Sequence, residues 1–280
     1  VDLRRTHIRA RVSGLRLCDS ALAVTPCAGE SSNADDRTMR DRVEKMILTP
    51  SKRGVLPIDL LSDPQDADLI LFMHQGRVSF VSPMDDYDRF ERTPAYFESA
   101  EAEKDADLEK QLSARIQSIA VTSWLYRLGE TQQQPHGLTW RMTRCGPTPA
   151  PFNLLVPPEI LPVGQPLCVE FQNSGKDPMD VTLLRVSENY DIDALFPTEK
   201  IPNRIAPGAR QVINLAVGPV DVPALERLIA LAAPARKDSR PMDFRWATNP
   251  SGRPPSDKPS LAALDSIWVR AARWIAVPTP

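Results

Sequence analysis

Hydrophobic and polar residues alternate along much of the second half of the chain, with the two-residue period of β-strands that bury one face. Leu167, Val169 and Phe171 fall on one side of the first such strand, and a turn-like segment follows at 173–178. Further strands are predicted beyond this turn and beyond a later Pro-Gly pair, so turn residues recur about every eight to twelve positions. This spacing predicts an antiparallel β-sandwich over residues 165–235.

The first half of the chain has a different pattern, in which helical and strand-like periods follow one another. Apolar residues recur at spacings of three and four in two segments, which predict a helix after Ala34 and another from about Ala102 to Leu128. The segment ADLILFMHQGRVSFVSP predicts a β-hairpin around Gln75-Gly76, with its first strand inside a sheet. Residues 1–145 are therefore predicted to form a mixed α/β domain.

Proline-rich and polar segments separate these regions. Residues 146–164 predict a proline-rich crossover, and residues 236–259 predict a polar loop. Residues 260–280 predict a C-terminal helix and tail, because Ser260 can cap a helix whose apolar positions recur at helical spacing. Those positions are Leu261, Leu264, Ile267, Trp268, Ala271 and Ala272. The predicted fold class is α+β: an N-terminal mixed α/β portion, an antiparallel β-sandwich-like domain and a C-terminal helix.

The composition fits a β-rich chain and argues against two kinds of partner. Proline accounts for 28 of the 280 residues, about twice its usual share, and its even spread favours strands joined by irregular loops. A formal net charge of −2 gives no electrostatic basis for binding nucleic acid or an anionic membrane. The longest apolar run, residues 228–233, is too short to cross a bilayer.

Cysteine usage predicts neither a metal site nor an extensive disulfide framework. The cysteines at positions 18, 27, 145 and 168 form no C-x-x-C pair, and the chain has only 3 histidines, which argues against structural zinc. A Cys18–Cys27 disulfide would form in an oxidising compartment, but unpaired thiols in a reducing cytosol are the favoured interpretation. The acidic segment 85–88 lacks the spacing of a calcium loop. We therefore expect no metal or cofactor, and a cytoplasmic rather than secreted chain.

His74 is the one histidine whose position suggests nucleophilic catalysis. It follows an apolar strand in LILFMHQGR, as the catalytic histidine of a caspase-like enzyme would, but Gln75 separates it from Gly76 and no Asp-x-Cys follows. Phosphate-binding glycine loops and a G-x-S-x-G sequence are also absent. The favoured interpretation of His74 is a hairpin-turn residue, and no catalytic residue is predicted.

Four short motifs in the second half of the chain have a characteristic order and spacing. They are Val169-Glu170-Phe171-Gln172-Asn173, Leu195-Phe196-Pro197, Asn203-Arg204-Ile205-Ala206-Pro207-Gly208 and Glu226-Arg227-Leu228-Ile229-Ala230. They resemble the C-terminal domain of unknown function of bacterial caspase-like (metacaspase or orthocaspase) cysteine peptidases. The hairpin at 67–83 and the helix at 108–128 similarly resemble the linker region that precedes that domain. The peptidase's own His-Gly and Asp-x-Cys motifs are missing.

The resemblance implies a non-catalytic regulatory or recognition part of such a peptidase. Its expected partners are the caspase-like peptidase domain, in cis or as a second chain, and a protein substrate. Because the sequence begins Val1-Asp2-Leu3 without a methionine, it is expected to be a processed fragment or a truncated piece. Two alternatives remain: a stand-alone binding module of a cell-surface or defence system, and a cryptic cysteine hydrolase that uses His74.

The segment DIDALFPTEKIPNRIAPG suggests where recognition would take place. One interpretation is that residues 189–205 form a recognition surface anchored by Tyr190, Phe196 and Arg204, since aromatic and arginine side chains dominate binding hot spots. The other is that the segment only shapes a sheet edge. In that case Pro197 ends a strand, Asn203 bonds turn backbone, and Gly208 supplies a positive φ angle.

Overall fold

The structure is a computed structural model, and it describes the larger part of the second half of the chain and shorter pieces of the first. The described residues are 8–11, 42–43, 45–47, 58–60, 69–74, 77–81, 105–130, 137–146, 150–151, 158–235, 240–248 and 267–279. The chain divides into two compact units, Asp2–Ser123 and Trp124–Pro280.

The first unit contains a four-stranded mixed sheet. Its strands are β1 (Ile8–Arg11), β2 (Ile58–Leu60), β3 (Leu69–His74) and β4 (Arg77–Val81), in the order β2-β1-β3-β4. Strands β1, β2 and β3 are parallel, whereas β3 and β4 form an antiparallel hairpin in which His74 lies opposite Arg77. The predicted hairpin is therefore confirmed, with β3 in the interior of its sheet.

Both helical periods predicted in the first half are confirmed where the structure describes them. Residues 42–43 and 45–47 are helical, and helix α1 spans Asp105–Glu130. The predicted apolar stripe of α1 is buried, because side chains three and four positions apart share one face of a helix. Its members are Leu108, Leu112, Ile116 and Ile119.

The second unit is a sandwich of two β-sheets. One sheet has the order β12-β8-β5-β6, and the other has the order β10-β9-β13-β14-β7, with β11 also paired to β9. The strands are β5 (Leu138–Arg144), β6 (Ala150–Pro151), β7 (Glu159–Pro162), β8 (Pro166–Asn173), β9 (Met179–Val186), β10 (Ile192–Phe196), β11 (Arg204–Ile205), β12 (Arg210–Ala216), β13 (Ala224–Pro234) and β14 (Trp268–Val277). All pairings are antiparallel except β14 with β7.

The hydrophobic core of this unit lies between the two sheets. Leu167, Val169 and Phe171 of β8 point into it, which confirms the face predicted from the alternation. From the other sheet, alternate residues of β9 and β13, including Leu183 and Leu228, complete the same cluster. The chain thus has the predicted α+β class, with a mostly antiparallel sandwich as its second unit.

The predicted C-terminal helix is not found over Trp268–Val277. These residues form β14, which pairs with β13 on one side and with β7 on the other. An interior strand buries both faces, so its apolar run fits a helical period as well as a strand period. The sandwich therefore extends beyond the predicted range 165–235 on both sides, since β5 belongs to it as well.

The expectation of unpaired thiols is wrong for two of the cysteines. Cys145 and Cys168 form a disulfide, with their Cα atoms 5.3 Å apart. Pairing of β5 with β8 sets Thr143 opposite Cys168, and this register brings Cys145, two positions further on, within reach. The proposed Cys18–Cys27 pair lies outside the described residues.

Candidate functional site

The segment predicted as a recognition surface forms β10, a connecting turn and β11 along one edge of the sandwich. Strand β10 ends at Phe196, directly before Pro197. This end is expected, because proline has no backbone N–H to donate to the ladder. Gly208 has a φ angle of +75°, which confirms the positive φ predicted for it. Each of the three predicted anchors can now be placed.

Phe196 is a core residue. Its side chain is 1% exposed and belongs to the cluster between the two sheets. The Leu-Phe-Pro sequence therefore turns inward at the end of β10, and the ring fills the sandwich interior. A side chain with so little accessible surface contributes to the core, and the assignment of Phe196 as a binding anchor stays a prediction.

Tyr190 is also buried, in the turn between β9 and β10. The Tyr190 amide donates to the Ser187 carbonyl at 3.0 Å, and the φ angle of 62° at Tyr190 turns the following residue back, so that the Asp191 carbonyl accepts the Ser187 amide at 3.0 Å. The guanidinium of Arg227 lies over the tyrosine ring, 5.2 Å from its centroid. The ring thus holds the turn against β13, and only 8% of the residue is exposed.

Arg204 of β11 forms a two-point ion pair with Asp180 of β9. Its Nε donates to Oδ1 of Asp180 at 2.8 Å, and its Nη2 donates to Oδ2 at 3.0 Å. These hydrogen bonds raise the pKa of Arg204 above its ordinary value, so the group stays charged. Asp180 is buried and also accepts the backbone N–H of Met242 at 2.9 Å. Asp180 of β9 therefore joins Arg204 of β11 to the 240–248 segment.

Asn173 connects two turns of the sandwich. The residue is fully buried, and its Nδ2 donates to the carbonyls of Asp177 at 2.9 Å and Ile205 at 3.0 Å, while its Oδ1 accepts from Gly175 at 3.0 Å. Its backbone carbonyl accepts the amide of Gly208 at 2.7 Å. The motif that ends in Asn173 and the motif at 203–208 are therefore parts of one hydrogen-bonded unit.

Asn203 does not serve the turn in the way its sequence position suggested. Its side-chain amide donates instead to the carbonyl of Met242, at 2.5 Å, and the residue is buried. Phe244 continues this attachment, because its backbone N–H donates to the hydroxyl of Thr182 at 3.3 Å and its ring is buried. Part of the predicted polar loop at 236–259 is thus fixed to the sandwich.

Glu226 is a buried carboxylate that was named in a sequence motif but given no role there. It lies on β13 opposite Trp274 of β14, and the indole Nε1 donates to Oε2 at 3.0 Å. The guanidinium of Arg185 lies 3.9 Å from Oε1 and bonds at the same time to Asp193, at 2.7 Å. We call Arg185, Asp193, Glu226 and Trp274 the carboxylate cluster.

Burial controls the protonation of Glu226. Desolvation raises its pKa above the ordinary value, and this effect exceeds the opposing influence of Arg185, of the Trp274 indole and of the Gly218 amide. A β-carbon at Gly218 would lie 2.7 Å from Nη1 of Arg185 and 3.1 Å from Oε1 of Glu226, so glycine leaves room for the cluster. The sequence signal was a charged residue within the apolar strand LERLIALAA.

The described residues offer little for catalysis. The two described cysteines form a disulfide and provide no thiolate, and no group of three potential metal ligands occurs among the described residues. His74 is described in its backbone alone, so the dyad considered for it lies outside the described side chains. No described helix is long and apolar enough to span a membrane.

Comparison with known proteins adds little to this picture. No family model matches the chain, and no curated protein matches it. The chain is similar to a solved structure of Pseudomonas fluorescens alkylpurine DNA glycosylase AlkC bound to DNA containing an abasic site analog, at 12% identity. That match covers 47% of this chain and 38% of the glycosylase chain, with a TM-score of 0.21, and so carries no argument about fold or function.

Proposed function

We propose that the chain is a non-catalytic regulatory or recognition part of a bacterial caspase-like cysteine peptidase. The coupling of its motif residues carries the proposal. Asn173 bonds directly to the backbone of Ile205 and Gly208, so two of the motifs that resemble the peptidase-associated domain are in contact. The segments that define the resemblance thus form one structural unit, as residues of a common domain would.

The sandwich architecture supports a role in binding. Paired sheets present strand edges and end loops on a rigid core, and many binding modules use such surfaces. The peptidase domain, in cis or as a second chain, would be the first partner, and contact with it would hold the peptidase inactive until a signal arrives. A protein substrate would be the second partner. This reading puts the chain in the cytoplasm with the enzyme.

Two measurements test the proposal together. The product of the full-length gene is purified, and mass and N-terminal analysis identify every chain that elutes with this one. The 280-residue chain is then added to the Cys/His peptidase, and cleavage of a fluorogenic peptide is followed, with an unrelated β-sandwich of similar size as the control. We expect this chain to elute together with the peptidase. We also expect this chain, but not the control β-sandwich, to lower the rate of peptide cleavage. An isolated monomer with no affinity for the peptidase and no effect on its rate would refute the proposal.

The Cys145–Cys168 disulfide favours a second candidate, a stand-alone binding module of a cell-surface or defence system. Disulfides persist in oxidising compartments and are rare in reducing ones. Thiols are blocked during cell lysis, and the masses of the peptides that contain Cys145 and Cys168 are then determined. A linked pair in material from the native host supports this candidate, whereas two blocked thiols support the cytoplasmic peptidase partner.

A further inference from the structure

Strand β12 forms the outer edge of one sheet, and its backbone pairing can be read residue by residue. Val217 donates to the Gln165 carbonyl at 3.0 Å, and the Ala209 carbonyl accepts from Asn173 at 3.0 Å. In an antiparallel ladder, alternate residues bond to the same neighbour, so positions 211, 213 and 215 face β8. The N–H and C=O groups of Arg210, Val212, Asn214 and Ala216 therefore point away from the sheet.

The remaining edges of the described sandwich are blocked in ways that β12 is not. Strand β7 ends in Pro162 and β6 in Pro151, while β10 has a register break after Ala194. Prolines, bulges and short length are the devices that protect sheet edges from pairing. Strand β12 spans 7 residues, RQVINLA, with neither proline nor lysine nor a register break.

The side chains beside this edge define what would fit. Val212 is 38% exposed, and it stands two positions from Arg210, whose side chain is 59% exposed. Arg210 bonds to Glu170 at 2.5 Å, and its exposure leaves room for a second carboxylate. An added strand would set its own side chains beside these, at the same two-residue spacing. An apolar side chain would match Val212, and an acidic one would match Arg210.

We propose that the outer edge of β12 binds an extended polypeptide segment by strand addition. The segment has an apolar residue opposite Val212 and an acidic residue opposite Arg210, two positions away. Main-chain hydrogen bonds to positions 210, 212, 214 and 216 supply affinity, and the two side-chain matches supply selectivity. This inference rests on the proposed function, because it names the surface and ligand class of a recognition module.

A proline substitution tests the edge directly. Val212→Pro removes one outward N–H group and no hydrogen bond to β8, so the sandwich should still fold; Val212→Thr keeps the N–H group and is the control. The probe is a labelled peptide of alternating valine and threonine with a glutamate two positions from the central valine. We expect Val212→Pro to weaken binding by at least about tenfold and Val212→Thr by less than about threefold. Equal affinities of the two variants, or no binding by the wild-type chain, would overturn the inference.

Amide hydrogen exchange provides a second readout on the full chain. Without peptide, the amides at 212, 214 and 216 should exchange much faster than those at 211, 213 and 215, and the peptide should slow them. If, without peptide, exchange at 212, 214 and 216 becomes slower as the protein concentration rises, the edge pairs with a second copy of the chain. That result would overturn the proposal. Peptidase association undiminished by Val212→Pro overturns this inference alone, whereas peptide binding without any peptidase association overturns the proposed function alone.

Discussion

Replacing Asn173 by alanine tests whether this residue fastens the sandwich as its hydrogen bonds indicate. The substitution deletes three side-chain hydrogen bonds, to Asp177, Ile205 and Gly175. The Ile205 carbonyl is left buried without this donor, at a cost of about 1–3 kcal/mol, and the two part-buried bonds contribute roughly 0.5–1.5 kcal/mol each. We therefore expect Asn173→Ala to lower the free energy of unfolding by about 2–6 kcal/mol.

Two further variants separate hydrogen bonding from packing. Asn173→Asp keeps the shape and the acceptor for Gly175, but it replaces the amide donor with a carboxylate that faces two carbonyls, so it should destabilise at least as much as alanine. Ser174→Ala is the matched control. Its hydroxyl donates to the Gly137 carbonyl at 2.7 Å in an exposed position, and its loss should cost less than about 0.5 kcal/mol.

Urea unfolding followed by tryptophan fluorescence measures these differences. The 5 tryptophans all lie within Trp124–Pro280, so the signal reports on the sandwich unit. The midpoint and slope of each transition give the change in free energy. A loss below about 1 kcal/mol for Asn173→Ala, or an equal loss for Ser174→Ala, would refute the claim that Asn173 couples the two turns.

The remaining predictions concern burial, protonation and the disulfide. Phe196→Ala should lower the free energy of unfolding in urea by about 3–5 kcal/mol, because it empties a core position; unchanged stability would contradict this core position. The pKa of Glu226 is raised by burial, so its contribution to stability is present below the unfolded-state pKa and lost as pH rises through the folded-state pKa. The free energy of unfolding of Glu226→Gln, relative to that of the wild type, should therefore be higher at pH 8 than at pH 4. An equal difference between variant and wild type at the two pH values would contradict this. Replacing Cys145 and Cys168 together by alanine opens a loop with a sequence separation of 23 and should cost about 3 kcal/mol in thermal or urea unfolding, as should reduction of the wild type; no loss on reduction would count against the disulfide.

Some features of the candidate site were accessible from sequence and others were not. Pro197 and Gly208 have backbone requirements that are independent of distant residues, so their roles could be predicted. The role of Phe196 could not, because an aromatic residue beside a proline fits a loop surface and a strand end equally well. Stacking of the two sheets decides that its ring faces inward. Arg204 was identified as a residue of interest, but its partner Asp180 lies on another strand.

The local pattern of residues is enough to specify the hairpin, helix α1 and the alternating strands of the sandwich, because period and turn chemistry act over a few residues. Tertiary structure decided which strands pair and what they bury. It made Trp268–Val277 a strand, since pairing with β13 over nine positions and with β7 outweighs a helical spacing. It joined Cys145 to Cys168 through the β5–β8 register, and it buried Glu226 beside Trp274. Such choices depend on contacts between residues far apart in the chain, which a local pattern does not specify.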